Sequence, residues 1–187
     1  MNYEKNYREL ESTYYMPAFS RDLMLVKGSG CNVTDAEGKT YLDLVAGIAV
    51  CSSGHCHPKV VQAIQKQAAE LIHCSNLYYV PHQGTLAKRL VEYSGLKKAF
   101  FSNSGAEANE GAIKLARIYF KKKGMPEKFE IITLEKSFHG RTLATIAATG
   151  QDKYQKPYSP LTPSFLKVPI NDLDALEKAI NGSTCAV

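Results

Sequence analysis

Between residues 97 and 134 the chain runs KKAFFS, SGAEANEGAIKLARIYFKKKG and FEIITL: a short apolar run, a long helical pattern and a second apolar run. An apolar run of roughly four to eight residues bounded by turn residues suits a buried strand, and apolar recurrence at helical spacing over 104–124 suits an amphipathic helix. Strand, helix and strand in this order predict a β-α-β unit with parallel strands, and hence an α/β fold. SFLKVP (164–169) predicts another strand, and NDLDALEKAING (171–182) a helix opened by Asn171 or Asp172. The closing TCAV reads as the first half of a further strand. A buried parallel strand needs partners for its backbone groups, so the sequence is expected to be truncated there.

Upstream, LMLVKGSG (23–30) and CNVTDAEGKTYLDLVAG (31–47) read as short strands, and Asp35 to Lys39 supply turn residues, which predicts a small antiparallel element. Val60, Val61, Ile64, Ala68, Leu71 and Ile72 recur at helical spacing after His57-Pro58, and Leu86, Leu90 and Val91 mark a second helix after Pro81. The chain changes character at His57-Pro58, from short strands to helices.

Charge and composition exclude several classes of protein. The net charge of +5 invites a nucleic-acid reading, but Lys121, Lys122 and Lys123 fall at a helix C-terminus, where cations suit the macrodipole, and no nucleic-acid module accompanies them. No run nears the roughly 18 apolar residues of a membrane helix, and the first residues lack the order of a secretory signal. Five cysteines are an odd number without a secretory context, which predicts reduced thiols and a cytoplasmic protein. His55-Cys56-His57 and His73-Cys74 lack the ligand spacing of common zinc sites, so ordinary packing and no metal are expected.

Two stretches carry chemistry. Ser104-Gly105-Ala106-Glu107 spells a capping box, with Ser104 as N-cap and Glu107 as its reciprocal partner. A helix starting just beyond a strand aims its first N–H groups and its dipole outward, a setting for an anion such as phosphate, and Gly105 and Ala106 leave room for it. The alternative is a well-capped helix with no ligand. The second stretch, EKSFHGRTLATIAATG (135–150), puts Phe138, His139 and Arg141 beyond the next strand, on the same sheet edge. An aromatic face there can stack on a heteroaromatic ring, and a guanidinium fork can hold a carboxylate.

Four long motifs, FFSNSGAEANEGAIKLAR, SFHGRTLATIAATGQDKYQKPYSPL, YLDLVAGIAVCSSGHCHPKVV and HCSNLYYVPHQGTLAKRL, resemble the class III, or ornithine-type, pyridoxal-phosphate aminotransferases from about Tyr15 onward. The resemblance implies a fold-type I homodimer: residues 1–55 as N-terminal arm and small-domain strands, then residues 56–187 as the first part of a large cofactor-binding domain with a mainly parallel sheet. Gly105 and Ala106, with Ser104, would hold the phosphate of pyridoxal 5'-phosphate. Phe138 would stack on its ring, with His139 beside it, and Arg141 and Tyr15 would contact substrate. Phe-His-Gly-Arg-Thr at 138–142 favours the acetylornithine branch of arginine biosynthesis over the ornithine δ-aminotransferases. The implied reaction moves an amino group between N-acetylornithine and 2-oxoglutarate, with succinylornithine, succinyl-diaminopimelate and ornithine open as donors.

The chain also departs from the family pattern. None of its eighteen lysines stands in the motif of the lysine that binds the cofactor aldehyde, so no catalytic residue is assigned and the 187-residue chain alone is expected to be inactive. Two other readings stay open: a non-catalytic module that binds a phosphorylated ligand or associates with a subunit, and a phosphate-binding α/β protein whose likeness is only structural.

Overall fold

Backbone pairing sorts the strands into two three-stranded sheets, one antiparallel and one parallel. The computed structural model describes the backbone from residue 3 and side chains from residue 6, through to residue 187, in two compact units, Met1–Val80 and Pro81–Val187. Residues 1 and 2, the start of the expected arm, lie outside the described residues.

The first unit opens on helix α1 (Tyr3–Tyr14), which is tied to the segment after it by Arg8 donating to the Asp22 carbonyl at 2.7 Å and by an Arg21–Glu11 ion pair at 2.8 Å. Strands β1 (Leu25–Ser29), β2 (Asn32–Asp35) and β3 (Thr40–Leu42) form the predicted antiparallel element. The Asp35–Lys39 turn joins β2 to β3, inside the second of the two runs. Buried Asp35 organises it: the Tyr41 hydroxyl donates to its carboxylate at 2.7 Å, and the N–H groups of Lys39 and Glu37 donate at 2.9 and 3.0 Å. Those bonds, led by that of Tyr41, hold the Asp35 carboxyl below its ordinary range.

Beyond β3, Asp43 accepts from the N–H groups of Val45 and Ala46 and lies 2.6 Å from His55 Nε2. These bonds fix the start of α2 (Ala46–Ala49), a turn whose residues all have positive φ. The hydrogen bond from His55, followed by those from the two N–H groups, lowers the Asp43 carboxyl from 3.8 to about 2. A folded-state value below the unfolded one stabilises above the unfolded value, and that stabilisation is lost as pH falls through the folded one. Unfolding midpoints measured across the range are therefore expected to fall between about pH 4 and pH 2 more steeply in the parent than in Asp43→Asn; parallel profiles would contradict it. Helix α3 (Pro58–Glu70), with proline in its first turn, follows where apolar spacing predicts it. Among the described residues no three His, Cys, Asp or Glu side chains gather as a metal site.

In the second unit, α4 (Gln83–Ser94) ends at Gly95, whose φ of +71° suits a left-handed cap. Then come α5 (Gly105–Lys122), β4 (Glu130–Leu134), α6 (Leu143–Ala148), α7 (Asp152–Gln155), β5 (Phe165–Val168), α8 (Leu173–Ala179) and β6 (Thr184–Ala186). Asp172 caps α8 by accepting from Ala175 N–H, which decides between the two expected N-caps. The sheet order is β5-β4-β6 with both pairs parallel, so TCAV does form a strand, on β4. Central β4 buries Ile131, Ile132 and Thr133 in succession, as a parallel strand covered on both faces should. Each buried isoleucine contributes about 1.5–3 kcal/mol.

Residues 97–102 form no strand, which corrects the β-α-β unit expected over 97–134. Both edges of β4 are taken by β5 and β6, so the segment finds no ladder there. Phe100 instead lies against α5, so close that a Cβ on Gly111 would come within 3.1 Å of its ring. The parallel crossovers run from β4 to β5 through α6 and α7, and from β5 to β6 through α8.

Helix α6 is buried along most of its length, so its C-terminal carbonyls cannot turn to water and need protein donors. Thr133 Oγ1 donates to the Ala148 carbonyl at 2.8 Å, Lys167 Nζ to Ala147 at 3.1 Å, and buried Gln155 Nε2 to Thr149 at 2.7 Å and Ile146 at 3.0 Å. This network fixes the ground on which the 135–142 loop sits. Among the described residues no helix is long and apolar enough to cross a membrane.

Candidate functional site

Helix α5 begins as the capping box predicts, with one difference. Ser104 is extended (φ −155°, ψ 162°) and its hydroxyl oxygen accepts from Glu107 N–H at 3.2 Å. The Glu107 carboxylate, however, reaches back to Asn103, accepting from its N–H at 2.7 Å and its side-chain amide at 2.9 Å, one residue before the expected partner. Among the described residues the N–H groups of Gly105 and Ala106 have no protein acceptor. A Cβ built on Gly105 meets nothing within 4 Å, so nothing in the chain's own packing requires glycine there. A helix N-terminus with spare donors and open space beside them fits a phosphate group.

The 137–142 loop is fastened to the start of that helix. Asn109 Nδ2 donates to the His139 carbonyl at 2.7 Å, and Thr142 Oγ1 donates to Glu110 Oε1. Between these two ties Gly140 is buried at φ +132°, where a Cβ would lie 2.6 Å from Ala106 Cβ and 2.7 Å from Thr145 Oγ1. Only glycine takes that conformation and that contact. On the other side, His139 N–H donates to Thr149 Oγ1 at 3.0 Å, and Thr142 N–H to Thr145 Oγ1 at 2.9 Å. The structure thus brings Ser104, Gly105 and Ala106 together with the loop carrying Phe138, His139 and Arg141, on the same sheet edge.

The loop side chains then part company. Phe138 is 57% exposed, its ring edge-on to Tyr154 at 6.0 Å, while the exposed Arg141 guanidinium lies 5.3 Å from the same tyrosine ring. The His139 ring lines a groove with Asn109, Ile113, Thr133 and Ala148, with Nδ1 3.3 Å from Ser137 Oγ. Burial, with Lys167 adding to it, pushes the His139 imidazole below its ordinary value, which keeps it neutral at pH 7. Tyr15 belongs to the first unit, where the Arg21 guanidinium lies 4.6 Å from its ring.

Sequence reasoning missed Asn109, Glu110, Thr142 and Tyr154. The signal for the first two is present: Ala106, Asn109, Glu110, Ile113, Ala116, Arg117 and Phe120 lie on the less exposed stripe of α5 at helical spacing. Asn109 and Glu110, polar at inward positions in the first turns of that stripe, mark a place where the helix binds something other than core.

Parallel strands with the capped helix and the loop at one end define an α/β fold of fold-type I, shared with solved aminotransferases. The chain belongs to the class-III aminotransferase family, whose model matches residues 15–187. Members of this family are pyridoxal-phosphate enzymes. The chain is similar to the acetylornithine aminotransferase of Methanocaldococcus jannaschii, 54% identical over 185 residues that cover 98% of this chain and 46% of that protein. It is also similar to the acetylornithine aminotransferase of Caldanaerobacter subterraneus, 54% identical over 178 residues that cover 95% of this chain and 45% of that protein. The chain therefore spans a little under half the length of these curated relatives. Among solved structures, it superposes on Toxoplasma gondii ornithine aminotransferase with a TM-score of 0.87 at 28% identity, covering 96% of this chain and 43% of that chain. An (S)-enantioselective omega-transaminase from Thermomicrobium roseum gives 0.90 at 27% identity, covering all of this chain and 49% of its own.

Proposed function

We propose that these residues form the phosphate-binding and carboxylate-binding part of a cytoplasmic, homodimeric pyridoxal-phosphate aminotransferase that exchanges an amino group between N-acetylornithine and 2-oxoglutarate. The observation that carries this reading is the packing of Gly140 on Ala106, which joins the open N–H groups at the start of α5 to the loop that carries an arginine and an aromatic side chain. The similarity to acetylornithine aminotransferases supports the choice of substrate.

Bound pyridoxal phosphate would supply the electron sink for proton removal at the amino acid's α-carbon. The chain's own residues hold and orient. Gly105 and Ala106 donate their N–H groups to the phosphate, and the Ser104 hydroxyl, whose oxygen already accepts from Glu107, keeps its proton to donate. Phe138 offers an exposed ring face to the pyridine. His139, neutral and anchored through its carbonyl, sets the loop beside the cofactor. Arg141 takes the substrate α-carboxylate through its fork, and Tyr15 contacts the substrate. In this reading residues 1–55 are arm and small domain, residues 56–187 open the cofactor domain, and the lysine that binds the cofactor aldehyde is supplied from outside these 187 residues.

The test uses the polypeptide read from the complete gene. Arg141→Ala is expected to raise KM for both carboxylate substrates by about a hundredfold, the equivalent of losing a charge-assisted bidentate pair, while the absorbance of bound cofactor stays. Loss of cofactor with KM unchanged would refute the role given to Arg141. A reading frame that ends at codon 187, with no transaminase activity in the product, would refute the proposal as a whole.

A further inference from the structure

Tyr154, on α7, touches both exposed side chains of the loop. Its ring meets Phe138 edge-on at 6.0 Å and 69°, and the Arg141 guanidinium lies 5.3 Å from its centroid. Lys153 Nζ lies 4.8 Å from the same centroid. The ring is itself held: the next residue, Gln155, is buried and bonded to three carbonyls at the end of α6 and just beyond it, so α7 cannot shift without breaking that cluster.

We propose that Tyr154 is a positioning residue for substrate carboxylate, presenting Arg141 through a cation–π contact. The inference rests on the carboxylate role given to Arg141 above. An exposed arginine samples many rotamers, and confining it before the substrate arrives lowers the entropic cost of binding. The Tyr154 ring face itself takes up none of the guanidinium N–H donors and leaves the charge in place.

The experiment compares three variants of the polypeptide read from the complete gene, by steady-state kinetics with N-acetylornithine and 2-oxoglutarate and by the absorbance of bound cofactor. Tyr154→Leu is expected to raise KM for both substrates about tenfold, with kcat within about threefold and the absorbance unchanged. Tyr154→Phe, which keeps the ring, should stay within about twofold of the parent. If Tyr154→Phe is as impaired as Tyr154→Leu, the hydroxyl is the working group and the proposal is overturned. A parental KM in Tyr154→Leu overturns it, and so does loss of cofactor. Arg141→Ala in the same assay separates the two levels of argument. An unchanged KM there removes the carboxylate role and this inference with it, whereas a raised KM there with a parental Tyr154→Leu removes only the inference. Should Tyr154→Leu fail to fold, Tyr154→His replaces the phenol with a poorer cation-binding ring of similar shape. It is expected to show the same rise in KM, and a parental value again overturns the proposal.

Discussion

Replacing Gly140 with alanine is expected to destabilise the second unit by about 3–5 kcal/mol and to abolish cofactor binding. Two costs combine. The residue sits at φ +132°, which an L side chain rarely adopts, and the new methyl would meet Ala106 Cβ at 2.6 Å, Thr145 Oγ1 at 2.7 Å and Ala106 Cα at 3.0 Å. The last of these is backbone, so relief requires the loop and α5 to separate. That separation would stretch the Asn109 bond to the His139 carbonyl and the Thr142 bond to Glu110, and would part the start of α5, the proposed phosphate site, from Phe138 and Arg141. Urea unfolding and a cofactor titration measure the two losses. Adding Ala106→Gly removes the methyl-to-methyl clash but neither the φ cost nor the Thr145 contact. The double variant should therefore recover about 1–2 kcal/mol, a coupling expected only for residues in direct contact. Simple additivity would show that the two residues do not press on each other.

Local patterns in the sequence foretold local structure well and long-range pairing less well. The Ser104 cap, the helices after Pro58 and Pro81 and the β2–β3 turn at Asp35 all depend on neighbours within a few residues, and all appear. KKAFFS failed for the opposite reason. An apolar run becomes a strand only when another strand offers it an edge, and β4 offers both of its edges elsewhere. The candidate site divides in the same way. Phe138, Arg141 and the residues at the start of α5 are picked out as candidates by type and by place along the chain. Asn109, Glu110 and Tyr154 meet His139, Thr142 and Arg141 across 30, 32 and 13 residues, a relation that a single sequence does not display. The adjacent pair Phe138 and His139 shows the limit most clearly. Both are aromatic and both follow β4, yet Phe138 lies exposed against Tyr154 while half-buried His139 lines the groove beside Ile113.

Gly105→Asp is expected to leave the fold intact and to remove phosphate binding, which separates the two reasons a glycine can stand at a helix start. No atom lies within 4 Å of a Cβ built there, so the side chain enters without a clash. A carboxylate in the first turn complements the helix dipole, contributing about 0.3–1 kcal/mol, and loss of glycine's freedom in the unfolded chain adds about 0.4–1 kcal/mol. The urea midpoint should therefore hold or rise. The ligand responds in the opposite sense. A carboxylate about 4 Å from a phosphate charge costs on the order of 4 kcal/mol at the effective dielectric of a protein surface, roughly a thousandfold in affinity. Glu107, the acid already in that turn, is bonded to Asn103, whereas the carboxylate introduced by Gly105→Asp would have no such partner at hand. Titration of the polypeptide read from the complete gene with pyridoxal phosphate, with Gly105→Ala as a neutral control, reads the difference directly. If Gly105→Asp binds as tightly as the alanine control, the spare N–H groups of α5 are not where the phosphate sits. If it binds weakly and also unfolds early, the glycine serves the fold after all, and the open space beside it does not mean what its geometry implies.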